Sequence, residues 1–114
     1  GHAVRTNSGC TEALPFFVRS AKNEPGFARA WHNVAGCLVD VHRYADAVRP
    51  AEVAYRLQPD DAGAAFNLAV ARLGTDDALA ARALLVEAVR LDPHHAGARR
   101  LLARISGATG SAPP

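Results

Sequence analysis

The chain has 114 residues, one domain's worth, of which 49% are apolar but only 6% aromatic. Alanine supplies much of that apolar share, which suits thin helix-to-helix packing better than one large core. A formal charge of +2 without a Lys/Arg block gives no argument for a nucleic-acid partner, and no run of 18 apolar residues offers a helix to cross a membrane.

The chain starts Gly-His and contains no Met, so it reads as a piece cut from a longer protein, and the lack of a targeting signal assigns no compartment. Residues 1–7 are expected to fray. A first helix is predicted from Ser8 or Thr11 to Lys22, with Pro15 near its first turns, where a missing N–H costs little. A second is predicted over Gly26–Asp40. The third, Arg43–Leu57, carries Pro50 well inside, where a cost of about 3 kcal/mol predicts a bend or a missing bond. Asp60 or Asp61 is expected to cap a fourth helix that runs to Leu73 and ends at Gly74. Thr75 with Asp76 is expected to cap a fifth, ending near Leu91. A sixth is predicted over His94–Ser106, followed by a flexible end at 108–114.

These elements repeat. Shifted by 34 residues, Ala28 to Pro59 lands on Ala62 to Pro93. Ala28, Ala30, Asn33, Ala35, Ala47, Ala54, Arg56, Leu57 and Pro59 then meet Ala62, Ala64, Asn67, Ala69, Ala81, Ala88, Arg90, Leu91 and Pro93. Trp31, Val34, Ala35 and Leu38 fall at helical spacing and make one apolar stripe. Ala47, Ala51 and Ala54 make a row of small side chains on the following helix, so the two helices pack closely as an antiparallel hairpin. Pro59 cannot continue the helix and marks the step to the next unit.

The period, with its Trp-x2-apolar-small-x2-apolar opening and later Ala, Ala and Pro, resembles the tetratricopeptide repeat (TPR). The resemblance implies an all-α fold of antiparallel helix hairpins stacked as a short right-handed superhelix of about six helices. It covers an array over 8–107: the second helix of a truncated repeat (8–25), two repeats (26–59 and 60–93) and a capping or partial-repeat helix (94–107). One hairpin cannot bury its own apolar face, so such units come in arrays.

No catalytic set emerges. Acidic residues at helix starts, including Asp76-Asp77, are explained by capping and the helix dipole. Cys10 and Cys37 lie on different predicted helices without metal spacing and read as two small, buried or half-buried thiols. His94-His95 and His42 read as turn histidines facing solvent, not ligands, so neither a metal nor a cofactor is expected. No phosphate-binding Gly loop, GxSxG or HExxH is present.

The functional signal lies opposite the Trp31 stripe. Arg29, His32, Asn33, Gly36 and Asp40 share one face of the second helix. The matching positions are Gly63, Phe66, Asn67, Val70 and Gly74 in the next unit, then Gly97, Arg100, Leu101 and Arg104. In TPR proteins these positions line a concave groove that holds an extended peptide, and the resemblance carries that role to Arg29, His32, Asn33, Phe66, Asn67, Val70, Arg100 and Arg104. Asn33 and Asn67 can pair with both groups of a peptide backbone, and the ladder they start breaks at Leu101. Phe66, Val70 and Leu73 leave an apolar strip on the groove floor, while Arg29, His32, Arg100 and Arg104 make its ends basic. The TPR form that clamps chaperone C-termini uses Lys and Asn at matched positions. Here His32 replaces the first Lys and Gly36 a required Asn, so that pattern is poorly met.

The expected function is therefore a non-enzymatic protein-interaction module that binds a peptide segment. One alternative is an assembly scaffold that self-associates through its end helices, with Leu14, Phe17, Leu102 and Ile105 on the outer faces. The other is the TPR arm of a larger enzyme such as a glycosyltransferase or sulfotransferase.

Overall fold

Local patterning becomes six helices in sequence. The computed structural model describes the backbone of residues 2–109 and the side chains of residues 10–106. The helices are α1 (His2–Asn23), α2 (Ala28–Asp40), α3 (Tyr44–Leu57), α4 (Ala62–Gly74), α5 (Ala78–Leu91) and α6 (Ala96–Thr109). Each packs on its neighbour in the chain, and α2 also touches α4. The array extends 50 × 36 × 25 Å.

The 34-residue period is visible in individual hydrogen bonds. Within each unit the two helices are joined by the same closure: Arg43 N–H donates to the Leu38 carbonyl and His42 N–H to that of Val39, as Asp77 does to Arg72 and Asp76 to Leu73. These bonds satisfy carbonyls that a helix end leaves orphaned. The residue at the centre of each turn, His42 or Asp76, is left-handed, with φ of 63° and 66°. Between units a second closure recurs three times, from Phe27 N–H to Glu24, Asp61 to Gln58 and His95 to Asp92.

Packing follows the apolar stripes. Val34, Ala35 and Leu38 of α2 are buried, as are Ala47, Ala51 and Ala54 of α3, and Ala81, Leu85 and Ala88 of α5. One cluster gathers Ala65, Ala69, Ala81, Leu85, Ala88, Ala98 and Ile105, uniting α4, α5 and α6. Another joins Val34, Leu38, Ala47 and Ala71, with Leu14, Phe17 and Val18 of α1 laid against it. The Trp31 indole donates to the Pro25 carbonyl at 2.8 Å, tying α2 to the turn before it.

Several expectations need correction. The first helix begins at His2, upstream of Ser8 or Thr11, and includes residues expected to fray. Pro15 consequently lies deep inside it. Pro50 leaves α3 the missing bond expected of a residue without an N–H, yet α3 remains one helix through it, and its ring is buried and serves as packing surface. A chain position without an N–H is tolerated where its ring fills space between helices. Of the tail expected to be flexible, α6 continues to Thr109, and residues 110–114 lie outside the described residues.

Gly74 does not end α4 as a left-handed cap; Asp76 takes that conformation instead. Gly74 is small for another reason: a Cβ there would lie 2.3 Å from Tyr44 Cγ and 2.5 Å from its Cβ. The cap of α5 is Asp77, whose carboxylate accepts from Ala80 N–H, not Thr75 with Asp76. Cys10 and Cys37 are joined as a disulfide between α1 and α2, with Cα atoms 5.6 Å apart, in place of two free thiols. Finally, Leu14 and Phe17 pack inward on α2, and Ile105 is buried with Leu102 beside it. The large apolar side chains left outside among the described residues are Phe16 on α1, Phe27 before α2, Leu57 on α3, and Leu79 and Val86 on α5, at 66%, 46%, 40%, 84% and 49% exposure.

Candidate functional site

Spacing put Arg29, His32, Asn33 and Gly36 on one face of α2, and the structure brings that face against the matching face of α4. A Cβ on Gly36 would lie 3.7 Å from Asn67 Nδ2, and one on Gly63 would lie 3.4 Å from His32 Cε1. The next step is made by Phe66, whose ring approaches to 3.2 Å from a Cβ built on Gly97 of α6. His32, Gly63, Phe66 and Gly97 thus alternate large and bare along one surface. The glycines let ring side chains from the preceding helix lie against the backbone.

Asn33 and Asn67 are both half-buried on this surface, one repeat apart. Neither carboxamide makes a hydrogen bond among the described residues. Each therefore keeps its donors and its acceptor unused by the fold. His32 is half-buried too, and its Nδ1 is buried without a partner; leaving such a group unsatisfied costs about 1–3 kcal/mol.

The cationic residues divide into two sets. Arg43, Arg72 and Arg90 are held by Asp46, Glu52 and Glu87. Arg29, Arg100 and Arg104 are exposed and have no ion pair among the described residues, as is also true of Arg19, Lys22, Arg49, Arg56, Arg82 and Arg99. Within that second set, Arg29, Arg100 and Arg104 are the ones at the two ends of the surface. Val70 is half-buried between them. Phe66 and Leu73 contribute less free apolar area than expected, because both pack against the α4–α6 core.

Sequence reasoning missed the part played by His95. It does not simply face solvent. Its Nδ1 accepts from Ala98 N–H at 3.0 Å, capping α6, and its ring lies 4.9 Å from that of Phe66. The signal was present in the register, since His95 stands one repeat beyond Asp61, which caps α4 through Gly63 N–H at 2.9 Å and Ala64 N–H at 3.4 Å. The corresponding residue of α2 is Phe27, which offers no side-chain cap.

Beside Phe27 opens a pocket of about 470 Å³, lined by Gly26, Phe27, Ala28, Arg29, His32, Leu57, Gln58 and Asp61. No group of three or more His, Cys, Asp or Glu able to hold a metal occurs among the described residues. No described helix is long and apolar enough to cross a membrane.

No protein-family model matches the chain. Among curated proteins it is 32% identical over its full length to an Hsp70-Hsp90 organizing protein of Triticum aestivum, of which it spans 19%. Among solved structures, the first TPR of Spaghetti (RPAP3) bound to the HSP90 peptide SRMEEVD superposes with a TM-score of 0.85. The two are 20% identical, with 97% of this chain and 88% of that one covered. The Arabidopsis OM64 TPR domain gives 0.81 at 19% identity, covering 92% and 87%. MamA from Desulfovibrio magneticus RS-1 gives 0.83 at 22%, covering 96% and 62%. The hairpin pairs, the doubled turn closures and these superpositions agree: the chain has the fold of a tetratricopeptide-repeat domain.

Proposed function

We propose that this domain is a non-enzymatic interaction module that holds an extended, acidic peptide along the joined faces of α2, α4 and α6. The observation that carries the reading is the pair of half-buried carboxamides, Asn33 and Asn67, one repeat apart and unused by the fold. An amide presents donor and acceptor together, so each can bind the N–H and C=O of a ligand backbone whatever its side chains. Phe66 and Val70 supply apolar wall between them. Arg29, His32, Arg100 and Arg104 bias the two ends toward negative charge and should speed association at low salt.

The RPAP3 domain, of the same fold, holds an HSP90 peptide, which supports peptide binding as the class of activity. His32 and Gly36 depart from the Lys and Asn of the chaperone-tail clamp, so the reading here is an acidic extended segment with no chaperone assigned.

The test is a salt series of titrations with a peptide captured from an acidic peptide array. Asn33→Ala with Asn67→Ala should weaken every captured peptide by a similar factor, at about 0.5–1.5 kcal/mol per lost hydrogen bond, and leave the melting point nearly unchanged. Arg100→Ala with Arg104→Ala should flatten the salt dependence. If the Asn pair leaves affinity untouched while Leu79→Asp with Val86→Asp on α5 abolishes it, the groove reading fails and an assembly scaffold replaces it.

A further inference from the structure

The 34-residue offset relates two hollows, one where α3 meets α4 and one where α1, α2 and α3 come together. The first is lined by Glu52, Tyr55, Arg56, Pro59 and Leu68, and its Glu52 is bridged to Arg72. One repeat earlier, Val18 stands for Glu52, Ala21 for Tyr55, Val34 for Leu68 and Leu38 for Arg72. An ion pair thus gives way to two aliphatic side chains, and a phenol ring to a methyl group. A cavity of about 230 Å³ opens there, lined by Val18, Ala21, Trp31, Val34, Leu38 and Pro50. The Trp31 N–H is spent on the Pro25 carbonyl, so the indole offers the cavity only its carbon surface. The charged residues on the cavity are Lys22, Asp46 and Arg49. Arg43 holds the Asp46 carboxylate at 2.7 and 2.9 Å. Lys22 and Arg49 are exposed and have no ion pair among the described residues. An apolar cavity therefore carries two unneutralised cations at its solvent edge, one from α1 and one from α3.

We propose that this cavity is a second binding site, for a small aromatic carboxylate. The ring lies among the aliphatic side chains beside the Trp31 indole, and the carboxylate pairs with Lys22 and Arg49. Size sets the ring count. An apolar cavity of about 150 Å³ takes one benzene ring, so the volume here holds one ring with a short arm. Charge sets the sign, because an anion at the edge neutralises two cations that otherwise face each other unscreened by a partner. The apolar lining sets the class, since a bare anion would leave that surface wet and gain nothing from its burial. The hollow beside Tyr55 does not suit the same ligand: Glu52 puts a carboxylate in its lining, and Arg72 is already paired with it. The site is on the Trp31 side of α2, opposite Asn33, and stands apart from the peptide-binding reading. Because its lining comes from α1, α2 and α3 together, the ligand also fastens α1 to the first complete unit.

Trp31 is the only tryptophan of the chain, so its fluorescence and its indole N–H signal in nuclear magnetic resonance report on this cavity. The probes are phenylacetate, the neutral phenylacetamide, and acetate, which has the charge without the ring. Phenylacetate should shift both signals saturably and at lower concentration than the amide. Acetate should leave them in place, and the Tyr55 ring signals should not move with any probe. Lys22→Gln and Arg49→Gln, both on the surface, should each weaken phenylacetate about two- to fivefold, the range of an exposed ion pair. Together they should bring it to the affinity of the amide. Ala21→Tyr, which copies Tyr55 of the second hollow, should fill the cavity and remove binding of both ring probes. Val18→Glu, at a half-buried position, copies Glu52 and should repel phenylacetate while sparing the amide, which keeps the test open if Ala21→Tyr does not fold. Equal response to phenylacetate and its amide, or an equal response to acetate, would overturn the proposal. So would tighter binding of acetyl-Asp-Phe-amide than of phenylacetate, which would assign the cavity to a side chain of a protein partner.

Discussion

In the first complete unit the bulk sits on the first helix: Trp31, Val34 and Leu38 of α2 pack toward Ala47, Pro50, Ala51 and Ala54 of α3. In the second unit α4 is thinned to Ala64, Ala65, Ala69 and Ala71 around Leu68, and α5 answers with Leu84 and Leu85. The turns, closures and helix lengths are nonetheless the same. What the repeat conserves within this chain is the backbone and the summed volume between paired helices, and the two helices can trade that volume. Capping differs in the same direction. Asp61 and Asp77 cap both helices of the second unit, whereas Phe27 and Arg43 leave both helices of the first without a side-chain cap. The second unit is therefore the better closed of the two, and the first retains the open, polar pocket.

The largest effect should come from removing the bulk that α5 supplies. Leu85 is fully buried, and Leu85→Ala should cost about 2–5 kcal/mol in a urea titration, because the buried residues clustered with it are alanines apart from Ile105 and cannot fill the gap. Val34→Ala in the first unit, about one turn from the larger Trp31 on the same stripe of α2, is the informative partner: a smaller loss there sharpens the contrast, and an equal loss breaks it. Next comes Gly74→Ala. The new methyl meets the Tyr44 Cβ as well as its ring, so the tyrosine cannot swing clear, and overpacking should cost about 1–3 kcal/mol. A neutral result would show that the α3–α4 contact is looser than the geometry here requires.

The unit boundaries were legible in the sequence because their signals are local: Pro59 and Pro93, the Ala rows and the 34-residue offset need no partner to be read. The site face was legible for the same reason, since helical spacing alone places Arg29, His32, Asn33 and Gly36 together. What escaped depends on residues distant in the chain. Gly74 does close α4, as a glycine after an apolar run suggests, but without a left-handed conformation, and the packing constraint on it comes from Tyr44 on another helix. Cys10 and Cys37 are 27 residues apart, a spacing that says nothing until α1 is laid on α2. His95 read as solvent-facing because its neighbours, Phe66 and Ala98 N–H, come together only after α6 docks.

Smaller effects test the capping half of the comparison. Asp61→Ala should cost about 1 kcal/mol by freeing two N–H groups of α4, and its melting temperature should fall accordingly. The weakest effect belongs to the surface pair Glu87 and Arg90 on α5. The hydrogen bond from Arg90 holds the Glu87 carboxyl below its ordinary pKa. A depressed carboxylate stabilises the fold above its unfolded pKa, and that contribution is lost as pH falls through the lower folded value. Because Arg90 is exposed and Glu87 only half-buried, the pair is solvent-screened, and Glu87→Gln should leave the melting temperature unchanged at neutral pH. A clear drop would mean that α5 depends on its outer face.

The central claim, that ligand lies across the first helices, is tested most directly by nitrogen-15 nuclear magnetic resonance of the side-chain amides during titration with a captured acidic peptide. The expected result is that the Asn33 and Asn67 NH₂ signals shift together, with the backbone amides of α2, α4 and α6 following and those of the outer α5 face around Leu79 and Val86 unmoved. Shifts concentrated around Leu79 and Val86, with both asparagine signals stationary, would contradict it.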